Sequence, residues 1–194
     1  GLDDPDEAAH RIAAGRETLE ESGLAIGLTG AIDAARAAHA RTLLLEHGEL
    51  AQVLEAMEWQ LDLDALLPFA RWHPINERIP RVFDTRFYLA ALGTGAVDVT
   101  VDETENTRLF WASASEALRL ADEGEIKVIF PTRRNLERLA LFSHFDEALA
   151  HVEQFPSRMI SPYMEVRDGV PWLLIPDDAG YPVQGEILES AARG

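Results

Sequence analysis

"RETLEESGL", residues 16–24, places Glu17, Glu20 and Glu21 on little more than one turn of any helix that contains them. Spacings of three and four residues bring side chains onto one face of an α-helix. The flanking sequence predicts such a helix over residues 5–22. Pro5 suits a first turn, Asp6 and Glu7 lie where the N-terminal dipole favours acids, and Gly23 follows as a stop. Like charges so placed destabilise the helix unless a cation sits between them. Mg²⁺ or Mn²⁺ is the natural occupant, a hard ion that takes carboxylate oxygens and keeps several waters for further ligands. The alternative is a solvated acidic face.

Composition sharpens the question. The 194 residues carry 34 Asp and Glu against 17 Lys and Arg, a formal charge of -17, so further acidic crowding needs a reason. Nonspecific binding to nucleic-acid polymers is driven by Lys and Arg displacing counterions, and a surface this acidic disfavours it. The same charge repels free nucleotides, so a protein of this kind that handles phosphate esters needs divalent cations to invert the local sign. Every basic residue except Lys127 is Arg, the better bidentate phosphate ligand. An apolar content of 47% and scattered aromatics indicate a folded globular chain, read as one domain over residues 1–194. No apolar run approaches the ~20 residues of a membrane span, and the first residues lack a signal-peptide pattern. With no cysteine there is neither a disulfide framework nor a thiolate metal site. The expectation is a cytoplasmic protein with no membrane partner.

Along the chain, residues 31–57 read as a second helical region broken near His47-Gly48, and 62–70 as another short helix. Strands are expected at "RVFDTRFYLAAL" (81–92), "AVDVTV" (96–101), "NTRLFWAS" (106–113) and "EIKVIF" (125–130). Ser113 with Glu116 forms a capping box for the helix that follows, and Thr132 and Ser143 are expected to cap two more. "MISPYMEVRDGVPWLLIP" reads as two strands around the hairpin signal Asp168-Gly169. Strands mixed with helices argue for a layered α/β or α+β domain. Trp59, Trp72, Trp111 and Trp172 are assigned to the core, and the six histidines show no metal spacing.

Arg16-Glu17, then Glu20-Glu21 and Gly23-Leu24, match the core of the Nudix box, Arg-Glu-apolar-any-Glu-Glu-any-Gly-apolar. On these residues the sequence resembles a Nudix hydrolase. Thr18 replaces the usual aliphatic, and eight residues rather than seven separate Glu7 from Arg16, which leaves Ala8 at the register of the upstream Glu. Downstream, "RWHPINERIPRVFDTRFYLAAL", "DETENTRLFWASASEAL" and "FPTRRNLERLA" are similar to the coenzyme A diphosphatase-like branch and its bacterial relatives. The resemblance implies a Nudix α/β/α sandwich with a mixed sheet, a helical insert or lid at 31–70 and a C-terminal hairpin extension at 158–194. It also implies strands before the box, ending in a Gly-Gly turn of which Gly1 is the remnant.

The same resemblance implies a hydrolase that splits the pyrophosphate of a nucleoside diphosphate linked to another group, coenzyme A or acyl-coenzyme A leading the candidates. A dinucleotide or nucleotide sugar is the alternative substrate, and a non-catalytic Nudix-fold ligand-binding module the alternative class. Glu17, Glu20 and Glu21 are the expected ligands of Mg²⁺ or Mn²⁺. Glu20 can also orient water, and Glu105, on the acidic approach to a strand, is a candidate general base or a turn residue. Arg16 is expected to pair with the box glutamates. Arg86 points either into the substrate cleft or to a strand-edge salt bridge, and Arg133 and Arg134 either hold a phosphate or form a solvated pair. Asp84 is expected to cap or pair locally. Relatives that pair as homodimers leave that partner open.

Overall fold

The computed structural model describes residues 3–74, 83–92 and 110–191. They divide into two compact units, Gly1–Leu67 with Tyr88–Trp111, and Pro68–Phe87 with Ala112–Gly194.

The first unit opens with α1 (Pro5–Ser22), as the capping residues dictate. The Asp4 carboxylate accepts from the Asp6 amide at 3.0 Å, and Gly23 ends the helix in the left-handed region, φ 78°. A short strand β1 (Leu28–Thr29) leads to α2 (Ala34–His47), capped by Asp33 and closed by Gly48 at φ 75°, and then to α3 (Leu50–Met57). The break at His47-Gly48 falls where the sequence places it. β2 (Gln60–Leu61) pairs antiparallel with β1, Leu28 opposite Leu61. The core of this unit is Leu19, Ala40, Leu44, Leu50, Val53, Met57 and Trp59. Trp59 is oriented by its indole N–H, which donates to the Ala31 carbonyl at 3.0 Å. Gly30 has to be glycine, because its φ is 136° and a Cβ would come within 2.7 Å of the Trp59 ring.

The expected helix over 62–70 is instead a single 3₁₀ turn, Leu63–Ala65, followed by strand β3 (Leu67–Trp72). Pro68 explains the correction, since a proline there denies a continuing helix its N–H and clashes with the preceding turn. β4 (Thr85–Leu89) lies within the expected 81–92 strand. Residues 96–101 and 106–109 lie outside the described residues. Phe110–Ser113, the end of another expected strand, is not in a strand.

In the second unit α4 (Ala114–Asp122) starts at the Ser113 capping box, with the hydroxyl accepting from the Glu116 amide at 3.1 Å. "EIKVIF" is no strand. Residues 125–129 are irregular, and Phe130 and Pro131 form the first turn of α5 (Phe130–Leu139), where proline's fixed φ fits. Thr132 therefore lies inside α5 rather than capping it. The N-cap of α6 (Phe145–Gln154) is His144, one residue beyond the expected cap Ser143, whose amide donates to Glu147 at 2.6 Å.

β5 (Met159–Ile160) joins β3 in parallel, with Trp72 opposite Ile160, in a sheet of order β4-β3-β5. The hairpin forms as expected from β6 (Tyr163–Arg167) and β7 (Val170–Leu174), turning at Asp168 and Gly169 with φ 51° and 80°. β8 (Gly185–Ile187) adds a third strand beside β7, and α7 (Leu188–Ala191) ends the described chain. This unit's core joins Phe69, Trp72, Phe130, Ile160, Leu174, Ile175 and Tyr181. Trp172 is partly buried, but Trp111 is 58% exposed, against its assignment to the core.

Candidate functional site

The acidic face of α1 is built by the helix itself. Leu19 is fully buried and turns one side of α1 into the core, which leaves Glu17 and Glu21 on the outside and Glu20 at the margin. The carboxylates of Glu17 and Glu21, one turn apart, have no hydrogen-bond or ion-pair partner among the described residues. Glu20 is held by Arg16, Nη2 to Oε2 at 2.8 Å, the i,i+4 pairing expected of Arg16. Glu7 is likewise engaged, its Oε1 accepting from the Arg11 Nε at 3.0 Å. Arg11 continues to the Leu63 carbonyl at 2.8 Å and tethers the start of α1 to the 3₁₀ turn.

Among the described residues no three His, Asp or Glu side chains converge on a common point that would hold a metal ion. The donor chemistry nevertheless fits Mg²⁺ or Mn²⁺. These ions are commonly bound by one or two carboxylates and complete their octahedron with water and substrate phosphates. Glu17 and Glu21 supply that pair, and Glu20, whose Oε2 is held by Arg16, is the third carboxylate of the same stretch. Glu105, the candidate base, lies outside the described residues.

In the second unit the other sequence candidates stand in ion pairs. Asp84 is gripped bidentately by Arg71, at 2.8 and 2.6 Å, and that hydrogen bond holds its carboxyl below the usual carboxylate range. Arg86, with a buried side chain, stands 4.0 Å from the same carboxylate, which is the strand-edge ion pair left open in the sequence. Arg133 lines a cavity of about 430 Å³ together with Asp122, Lys127, Glu186 and Ser190. Its guanidinium is committed to Asp122 at 2.6 Å and to Glu137 at 3.5 Å.

Arg134 is not the solvated partner of Arg133. It is 2% exposed, pairs with Glu137 at 2.7 Å and lies over the Phe130 ring at 5.1 Å. Burial holds its guanidinium below the usual arginine range and pushes the Glu137 carboxyl up. One turn on, Arg138 is also buried, donating to the Phe69 carbonyl at 2.8 Å beneath the Phe69 and Tyr181 rings. Between them Asn135 Oδ1 accepts from Trp72 Nε1 at 3.2 Å and from the Tyr181 hydroxyl at 2.8 Å. The stretch "RRNLER" therefore forms a polar spine inside the second unit.

The residue that sequence reading missed beside the acidic face is Arg41 of α2. Its Nε donates to the Glu20 carbonyl at 2.8 Å and its Nη2 to the Glu21 carbonyl at 3.2 Å. No local pattern marks this contact, because the partners are 20 and 21 residues away.

The architecture and the helix-borne Arg-Glu-x-x-Glu-Glu sequence define a Nudix fold. A crystal structure of a NUDIX hydrolase from Alicyclobacillus acidocaldarius superposes with a TM-score of 0.64 and 25% identity, covering 77% of this chain and 68% of that one. No family model matches the chain. The resemblance to the coenzyme A diphosphatase-like branch of the Nudix superfamily also holds. The acyl-coenzyme A diphosphatase NUDT19 of Gallus gallus is 29% identical over 166 residues, 74% of this chain. The chain spans 43% of the length of that relative.

Proposed function

We propose that the chain is a metal-dependent Nudix hydrolase that cleaves the pyrophosphate of a nucleoside diphosphate joined to another group, with coenzyme A or an acyl derivative as the leading substrate. The observation that carries the reading is the pair of solvent-facing, unpartnered carboxylates of Glu17 and Glu21 within the Arg-Glu-x-x-Glu-Glu helix. The similarity to a named acyl-coenzyme A diphosphatase supports the substrate class.

A bound divalent ion would neutralise phosphate charge and acidify a coordinated water. The chain's own residues then have defined tasks. Glu17 and Glu21 present oxygens one turn apart to receive the ion. Glu20, whose carboxylate Arg16 holds close, completes the ligands or orients the attacking water. Glu105 remains the proposed general base. Since Arg86 and Arg133 are held by acids, their proposed contact with substrate phosphates requires exchange of those ion pairs.

The test is a panel of coenzyme A esters, dinucleotides and nucleotide sugars assayed for phosphate-ester products with Mg²⁺ or Mn²⁺. Turnover is expected on at least one class. Glu20→Gln and Glu21→Gln should stay folded and lose on the order of a hundredfold or more in turnover, roughly 3 kcal/mol of barrier. A second reading, a Nudix-fold binding module, is favoured by the lack of convergence among the three carboxylates. Ligand binding with no product from any substrate class would select it.

A further inference from the structure

We propose that Arg41 is a positioning residue for the carboxylates of α1, and that α2 serves as the support through which it acts. The inference rests on the reading of α1 as a metal helix and adds a residue to it.

A helix leaves the carbonyls of its last turn without intrahelical donors. In α1 the Leu19 carbonyl accepts from the Gly23 amide at 3.0 Å. The Glu20 and Glu21 carbonyls accept from the one guanidinium of Arg41. These are the backbone units of two of the three acidic residues, so fixing them fixes the Cα–Cβ directions from which the carboxylates project.

The anchor is rigid because of what lies beside it. Ala40 is 0% and Leu44 1% exposed on α2, and both pack in the cluster that contains Leu19 of α1. Arg41 follows Ala40 and precedes Leu44 by three residues, so the packing that buries them carries the guanidinium to the end of α1. The positive charge also lies at the negative end of the helix dipole.

Charge and geometry predict opposite outcomes, which makes the proposal testable. Removing a cation near an acidic site tightens divalent binding if the effect is Coulombic alone. Loosening the turn that aims Glu20 and Glu21 weakens it. Lysine separates the two further, because it keeps the charge but has no planar fork to bridge two carbonyls.

Mn²⁺ binding to the 194-residue protein, followed by the electron paramagnetic resonance signal of the free ion, reads this directly. Wild type, Arg41→Gln, Arg41→Lys and Glu21→Gln are compared, with melting temperature in metal-free buffer as the measure of folding. The expected result is a wild type that binds, and Arg41→Gln and Arg41→Lys that each bind about tenfold more weakly or worse. Should Arg41→Gln fail to fold, Arg41→Lys alone decides. Arginine variants that bind as tightly as wild type, or tighter, overturn the positioning role while the metal helix stands. A wild type with no affinity for Mn²⁺ overturns the metal helix and this role together.

Discussion

His151 sits between the rings of Phe142 and Phe155, each 4.9 Å away, and its Nδ1 accepts from Arg138 Nη2 at 3.3 Å. Arginine is a cation throughout the accessible pH range, so the imidazole is neutral and carries its proton on Nε2. Burial, and then the Arg138 charge, lower its pKa. Below about pH 6.5 the unfolded chain takes up this proton more readily than the native one. Stability should therefore hold above that value and fall as the pH drops through the folded pKa. His151→Gln keeps an acceptor for Arg138 without a titrating ring, and urea midpoints between about pH 7 and 5 should fall less steeply for it than for wild type. Equal slopes would remove His151 as the source. The sequence disclosed residues of another kind. Glu17, Glu20 and Glu21 announce themselves by spacing, and Arg16–Glu20 is a local i,i+4 pair. Asn135, which orients Trp72 and Tyr181 from 63 and 46 residues away, gives no such signal, because what it satisfies exists only after folding.

Elements were legible where their ends are encoded locally. Gly23 and Gly48 both lie in the left-handed region that stops a helix, and Ser113 caps α4 through the expected amide. The failures share a cause. Residues 62–70 and 125–130 are short apolar runs, in which periodicity cannot separate strand from helix, and Pro68 and Pro131 were the better guides. β5 and β8 are two and three residues long and exist because of distant partners, so no window of sequence contains the reason for them. The end of α1 offers a direct test of local encoding. Gly23→Ala forces an L-residue to φ 78°, at a cost of about 1 kcal/mol. The loss should appear in the denaturation midpoint, with faster amide exchange over residues 19–23 than in wild type. Unchanged exchange there would mean that Arg41 and Ser22 alone hold the last turn.

Across the whole molecule the formal charge of -17 sets the terms on which any specific cation effect must be recognised. Self-repulsion of so acidic a chain weakens with salt, since screening at about 0.1 M acts over roughly 10 Å, and any electrolyte should raise the melting temperature. A site on α1 adds a term that grows with occupancy, about 2.7 kcal/mol at a hundredfold excess over the dissociation constant. MgCl₂ and NaCl compared at equal ionic strength separate the two, and a further increment is expected with MgCl₂. Glu17→Gln with Glu21→Gln should abolish that increment, but the pair also removes two negative charges and so relieves repulsion everywhere. Glu46→Gln with Glu153→Gln makes the same change in net charge at exposed positions outside α1. The increment should survive in this second pair and vanish in the first. Loss in both, or in neither, would assign the effect to the charge of the chain as a whole and leave the acidic face of α1 without a specific ion.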